Sequence, residues 1–143
     1  MIVPDANLLV YAYDRTAGQH ARAREWWEAV LSGTQSVGLP WIVVLAFVRL
    51  VTHPTLSTNP MTIDQARERV EEWLACANVV LLVPRETTLA RFFDLLRSAG
   101  SGGNLSTDAL IAAHALEFGG VVYSNDRDFA RFSGLQWVNP LEG

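Results

Sequence analysis

Four aspartates stand where the chain changes character. Met1-Ile-Val-Pro-Asp5 is an apolar run that stops on an acid, and Asn104-Leu-Ser-Thr-Asp108 puts a second acid where a helix begins. Gly119-Gly-Val-Val-Tyr-Ser-Asn-Asp-Arg-Asp-Phe129 carries a third and a fourth, Asp126 and Asp128, at the end of another short apolar run. Each alone has an ordinary explanation, because aspartate caps helices, favours the amide dipoles of a first turn and forms turns. The joint pattern points further: three segments far apart in sequence each aim an acid at one edge of the structure. Carboxylates gathered in one place repel one another, and as hard oxygen ligands they match Mg²⁺ or Mn²⁺. The expectation is that Asp5, Asp108, Asp126 and Asp128 converge on one metal site.

Other chemistries find little support. His20, His53 and His114 are scattered and Cys76 is single, so no His/Cys set has zinc spacing. Cys76 reads as a small core residue on the inner side of a helix. There is no Gly-x-Ser-x-Gly elbow, and Gly100-Ser-Gly-Gly-Asn104 lacks the lysine of a phosphate-binding loop. The eleven basic residues are all arginine, which removes a receiver-type phosphotransfer domain, whose site needs a lysine. A net charge of −4 argues against holding nucleic acid through a general positive field. A local rim of Arg15, Arg22, Arg24, Arg127 and Arg131 remains available for phosphates.

The elements that must position the acids follow from the hydrophobic pattern. Short apolar strands are expected at Met1 to Val3, Asn78 to Val83 and Val121 to Tyr123, with weaker extended pieces at Gln35 to Leu39 and Leu135 to Val138. Helices are expected from Leu8 to Tyr13 with Asn7 as cap, from Ala17 to Leu31, and from Trp41 to Val51 as a buried, all-apolar helix. Three more run from a Thr62–Gln65 capping box to about Cys76, from Glu86 to Ala99 with Leu89, Phe92, Phe93 and Leu96 inside, and from a Ser106 or Thr107 cap to Phe118. Strands alternating with helices give an α/β domain, a parallel sheet flanked by helices on both faces. In such sheets ligands sit beyond the carboxyl ends of the strands, where Asp5 and Asp126 fall.

With 143 residues, half of them hydrophobic, a single domain over 1–143 is expected. The N-terminus lacks the pattern of a secretory signal, no run is long enough to span a bilayer, and one cysteine suits a reducing cytoplasm. The apolar Trp41–Val51 segment, with Trp26 or Trp27, offers a surface for a homodimer. The tryptophans otherwise read as core and interface residues.

Met1-Ile-Val-Pro-Asp-Ala-Asn-Leu-Leu9, Gly103-Asn-Leu-Ser-Thr-Asp-Ala109 and Tyr123-Ser-Asn-Asp-Arg-Asp-Phe129 resemble the acidic motifs of the PIN-domain nucleases. More closely, the chain resembles the VapC toxins of bacterial toxin–antitoxin pairs from end to end, including Leu39-Pro-Trp41, Ala46-Phe-Val-Arg49 and Phe129-Ala-Arg-Phe-Ser-Gly-Leu135. The resemblance implies RNA cleavage dependent on Mg²⁺ or Mn²⁺ and inhibition by a VapB-type antitoxin whose tail covers the site. It implies Asp5, Asp108 and Asp126 as metal-binding acids, Asp128 as a further one, and Asn7 and Ser124 as polar neighbours. Arg49 matches an arginine of the family pattern, and its alternatives are a role near the site or a surface ion pair. One departure is plain: the pattern has a glutamate near position 46 or 47, where this chain has Ala46 and Phe47. The loss leaves two expectations open, an active ribonuclease or a catalytically weak or inactive RNA- or protein-binding module.

Overall fold

A computed structural model describes residues 1–142. The expected apolar runs form β1 (Ile2–Pro4), β2 (Val37–Pro40), β3 (Val79–Leu82), β4 (Val121–Tyr123) and β5 (Trp137–Val138). They make one all-parallel sheet in the order β3-β2-β1-β4-β5, with Val3 opposite Val122 and Leu39 opposite Leu81. Between them lie α1 (Ala6–Tyr13), α2 (His20–Ser32), α3 (Trp41–Val51), α4 (Ile63–Ala75), α5 (Glu86–Ala99) and α6 (Ser106–Glu117). A parallel sheet must be covered on both faces, and the central strands show it: Val3, Val37, Leu39 and Val122 are all fully buried.

Local chemistry sets several boundaries as expected. Thr62 Oγ1 accepts from the Gln65 amide at 3.1 Å while Gln65 Oε1 accepts from the Thr62 amide at 2.9 Å, the reciprocal cap that starts α4. Gly100 closes α5 in the left-handed conformation, φ +70°, which costs a residue without a Cβ nothing.

Other expectations are corrected. The cap of α1 is Asp5, not Asn7, since its carboxylate accepts from the Ala6 amide. Neither Ser106 nor Thr107 caps α6, because a 3₁₀ turn at Gly103–Leu105 runs straight into it. On α3, Val43, Val44, Phe47 and Val51 face inward, but Trp41 and Leu45 are each 53% exposed, so the helix is apolar all round without being buried all round. On α5, Phe92 and Leu96 pack against the core as expected, but the fully inward positions are Thr88 and Leu95, and Leu89 and Phe93 are outside. The Thr88 hydroxyl accepts from the Arg85 amide at 3.0 Å, a bond within the first turn of the helix, and Leu95, two turns on, lies on the same inward face where α5 packs against α6. Cys76 ends α4 half-buried, its thiol donating to the Glu72 carbonyl.

The aromatic residues form one seam through the core. Trp73 meets Phe47 at 4.7 Å and Trp27 at 5.6 Å between centroids, and its indole donates to the Tyr13 hydroxyl at 2.8 Å. Trp26 continues the seam by stacking on Tyr123, the last residue of β4. Trp27 is therefore interior, and the expectation that it lies at a surface contact fails.

Candidate metal centre

The strand order reverses between β1 and β4. From β1 the chain builds outward through β2 and β3 on one side; β4 and β5 lie on the other. Loops leaving two adjacent strands toward opposite sides open a crevice at their carboxyl ends, the favoured ligand position in such sheets. Asp5 leaves β1 there and Ser124 leaves β4, and the Asp5 amide ties the two ends together by donating to the Tyr123 carbonyl at 2.9 Å.

Ser124 is the joint of the crevice. Fully buried, it donates its hydroxyl hydrogen to Asp5 Oδ2 at 2.7 Å and accepts from the Asp126 amide at 2.9 Å and from Asn7 Nδ2 at 3.3 Å. One donor and two lone pairs are thus all used. Asn7 also offers its Oδ1 to the Asn125 amide, so both polar neighbours expected from the sequence stand in the network.

Asp126 begins a short 3₁₀ turn, Arg127–Arg131, and its Oδ1 accepts from the Asp128 amide at 2.9 Å. Asp108 enters from the first turn of α6, which packs across β1, β2 and β4. One carboxylate oxygen from each of Asp108, Asp126 and Asp128 lies within 4.8 Å of the others. Asp5 stands outside that triad, with its oxygens on the Ser124 hydroxyl and the Ala6 amide. It is coupled to the triad through charge.

That coupling is visible in protonation. Burial, then the charges of Asp5, Asp126 and Asp128, push the Asp108 carboxyl up to about 7. Burial pushes Asp5 up as well, and the charge of Asp126 adds to it; the hydrogen bonds from Ser124 and Ala6 pull the other way. Crowded, partly desolvated carboxylates are costly to ionise together, and a divalent cation between them removes the cost. Three hard oxygen donors around one point suit such an ion.

The arginines divide. Arg22 donates to the Leu141 carbonyl, Arg24 pairs with Glu28, and Arg127 pairs with Glu142 at 3.6 Å. Arg15, Arg49 and Arg131 are exposed and form no ion pair among the described residues. The surface ion pair considered for Arg49 is therefore not made there. On α3, Phe47 points into the aromatic seam and is fully buried, so no acid reaches the site from that position. A cleft of about 620 Å³ lies elsewhere, among Tyr13, Arg15, Leu56, Met61, Glu68 and Arg69, and none of the four acids lines it.

Sequence reasoning missed Asn125 and Asn139. Asn139 Nδ2 donates to Asn125 Oδ1 at 3.0 Å, and the Trp137 indole donates to the Ser124 carbonyl at 3.0 Å. The available signal was Val138-Asn-Pro140, an asparagine held before a proline just after a strand.

A family model described as PIN domain matches residues 2–135. The chain is 38% identical over 143 residues to Ribonuclease VapC33 of Mycobacterium tuberculosis, covering 99% of each. It is 36% identical to Ribonuclease VapC43 of the same organism, covering all of this chain and 97% of the relative. Among solved structures, that of VapBC2 from Rickettsia felis, bound to a DNA fragment from their promoter, superposes with a TM-score of 0.69 at 19% identity, over 97% of this chain and 98% of the other. At that identity the likeness bears on the fold.

Proposed function

The chain belongs to the PIN-domain family, in its VapC branch, and from that premise we propose that it is a metal-dependent ribonuclease toxin of a type II toxin–antitoxin system. It hydrolyses RNA phosphodiester bonds, works in the cytoplasm, and is silenced by a VapB-type antitoxin. The observation that carries this is the meeting of Asp108, Asp126 and Asp128 within 4.8 Å at the β1/β4 crevice, beside buried Asp5. VapC relatives named as ribonucleases supply the substrate class, and the VapBC pair of Rickettsia felis supports a VapB-type partner.

Asp108, Asp126 and Asp128 would hold the ion, Mg²⁺ or Mn²⁺, with Asp5 as the fourth acid of the site. Once bound, it supplies a Lewis acid that neutralises phosphate charge and lowers the pKa of a water. Asp5 and Ser124 keep the Asp126 amide in place, which sets where the Asp126 carboxylate points. Arg127 and Arg131, beside the acids in sequence, are placed to meet phosphates as their rim, and Arg49 is a lesser candidate. Trp41 and Leu45, side by side on α3, are the face proposed for a homodimer.

The test is cleavage of RNA by the isolated chain in Mg²⁺ or Mn²⁺, with a chelator control and the variants Asp5→Asn and Asp108→Asn. Loss of cleavage in chelator and in both variants is expected; undiminished cleavage in both variants sinks the assignment.

A second reading, a PIN-like module that binds without turnover, is favoured by one observation: α3 contributes no acid, because Phe47 is committed to the core. Calorimetry with Mn²⁺ separates the two. A chain that takes up no Mn²⁺ at millimolar concentration is the binding module.

A further inference from the structure

Two of the three clustered acids sit on one loop, Ser124 to Asp128, and little within that loop can hold it. Its own bonds, Asp126 amide to Ser124 Oγ and Asp128 amide to Asp126 Oδ1, are single hydrogen bonds, the second of them at the surface. Such bonds contribute about 1 kcal/mol net each. Against them stands the mutual repulsion of Asp108, Asp126 and Asp128, all with oxygens within 4.8 Å. Left to itself the loop would relax away from Asp108.

Besides Asn7 Oδ1, which accepts from the Asn125 amide at 3.5 Å, what opposes that is the segment from β5 onward, Trp137 to Glu142. The Trp137 indole donates to the Ser124 carbonyl and the Ser124 amide donates to the Val138 carbonyl, both at 3.0 Å. Asn139 Nδ2 donates to Asn125 Oδ1 at 3.0 Å, and Glu142 reaches Arg127 at 3.6 Å. The amide of Asn139 cannot be turned over freely: its Oδ1 accepts from the Leu141 amide at 3.0 Å, which aims the NH₂ at Asn125. Leu141 is in turn fixed, its side chain in the core and its carbonyl bonded to Arg22 on α2. A continuous path therefore runs from α2 through Leu141 and Asn139 to Asn125, the residue before Asp126.

We infer that the Trp137–Glu142 segment is a strap that sets the position of the acid loop, with Asn139 as its positioning residue and Arg22 as its anchor. Neither touches the acids. Each acts through the backbone that carries Asp126 and Asp128. The strap keeps repelling carboxylates close enough to share one ion before any ion arrives, which is what preorganisation of a metal site requires. This rests on the cation seat proposed above. It also reassigns Arg22 from a phosphate contact at the rim to an internal tie.

The test compares the full-length chain with Asn139→Ala, Arg22→Ala and Arg22→Lys by amide hydrogen exchange without metal and by Mn²⁺ calorimetry. In Asn139→Ala and Arg22→Ala the Asn125, Asp126 and Asp128 amides are expected to exchange several-fold faster, with β1 and α6 amides unchanged. Mn²⁺ affinity is expected to fall about tenfold, the size seen when groups supporting a ligand are removed. Arg22→Lys, which keeps a donor for the Leu141 carbonyl, is expected to recover most of both. Wild-type exchange at the three amides in Asn139→Ala overturns the inference, and so does loosening spread evenly over β1 and α6, which would mean general destabilisation. A wild-type chain that binds no Mn²⁺ refutes the cation seat instead, and the exchange arm, needing no metal, still decides the strap.

Discussion

Ser124 holds more of the site together than any acid does. Its hydroxyl is the one hydrogen-bond partner of Asp5 Oδ2 among the described residues, and it is fully buried. Ser124→Ala leaves a buried carboxylate oxygen and the Asp126 amide without it, and the cost of an unmet buried polar group is about 1–3 kcal/mol. Urea denaturation is expected to show a loss in that range, and a loss below a few tenths would mean water replaces the hydroxyl without penalty. Asp108→Asn works in the opposite sense on stability. It removes the charge that Asp5, Asp126 and Asp128 oppose, so the metal-free variant is expected to melt higher than wild type at pH 8 while losing Mn²⁺ binding. A lower melting temperature would mean that Asp108 forms a favourable contact that outweighs the repulsion.

At the scale of elements, the sheet and most helices could be read from the pattern, and the reason is visible in β1 and β4. Buried parallel strands are short continuous apolar runs, and an acid at the end of each is a change of composition that a sequence displays. What could not be read is how helices are turned about their axes. The rotation of α5 is set by its packing on α6, and the exposure of Trp41 and Leu45 by which face of α3 its neighbours α1, α4, α6 and β2 leave uncovered. Neither is written in periodicity when a helix is apolar on several sides. The same holds for the acid triad: the four aspartates are legible singly, but that Asp128 joins Asp108 and Asp126 while Asp5 turns to Ser124 depends on the Arg127–Arg131 turn. The aromatic seam offers an element-level test. Trp73→Ala removes the ring that joins α4 to Phe47, Tyr13 and Trp27, and a large-to-small change in a full core costs about 3–5 kcal/mol. Denaturation of that variant should show it, whereas Trp41→Ala, at an exposed site, should cost far less.

At the scale of the whole molecule, the raised protonation of Asp108 links stability to pH. An acid that binds its proton more tightly folded than unfolded favours the folded state at low pH, and this contribution is lost as pH rises through the folded value. Here that window runs from the ordinary aspartate range, near 4, to about 7. Burial shifts Asp5 in the same direction. Metal-free protein is therefore expected to melt lower at pH 8 than at pH 5.5, and saturating Mn²⁺ to close the gap by binding the ionised form. A scan showing equal melting temperatures at the two pH values without metal would contradict the crowding of the acids. No helix among the described residues is long and apolar enough to cross a membrane.

The reversal of strand order between β1 and β4 also has a meaning in time. Asp5 and Ser124 are 119 positions apart, and β1 waits for β4 along one edge while β2 and β3 are laid down on the other. Asp5 thus has nowhere to meet the other acids until residues 121–138 have joined the sheet. The acids can meet only once β1 and β4 lie side by side, so the crevice depends on the pairing in this sheet that joins the strands most distant along the chain.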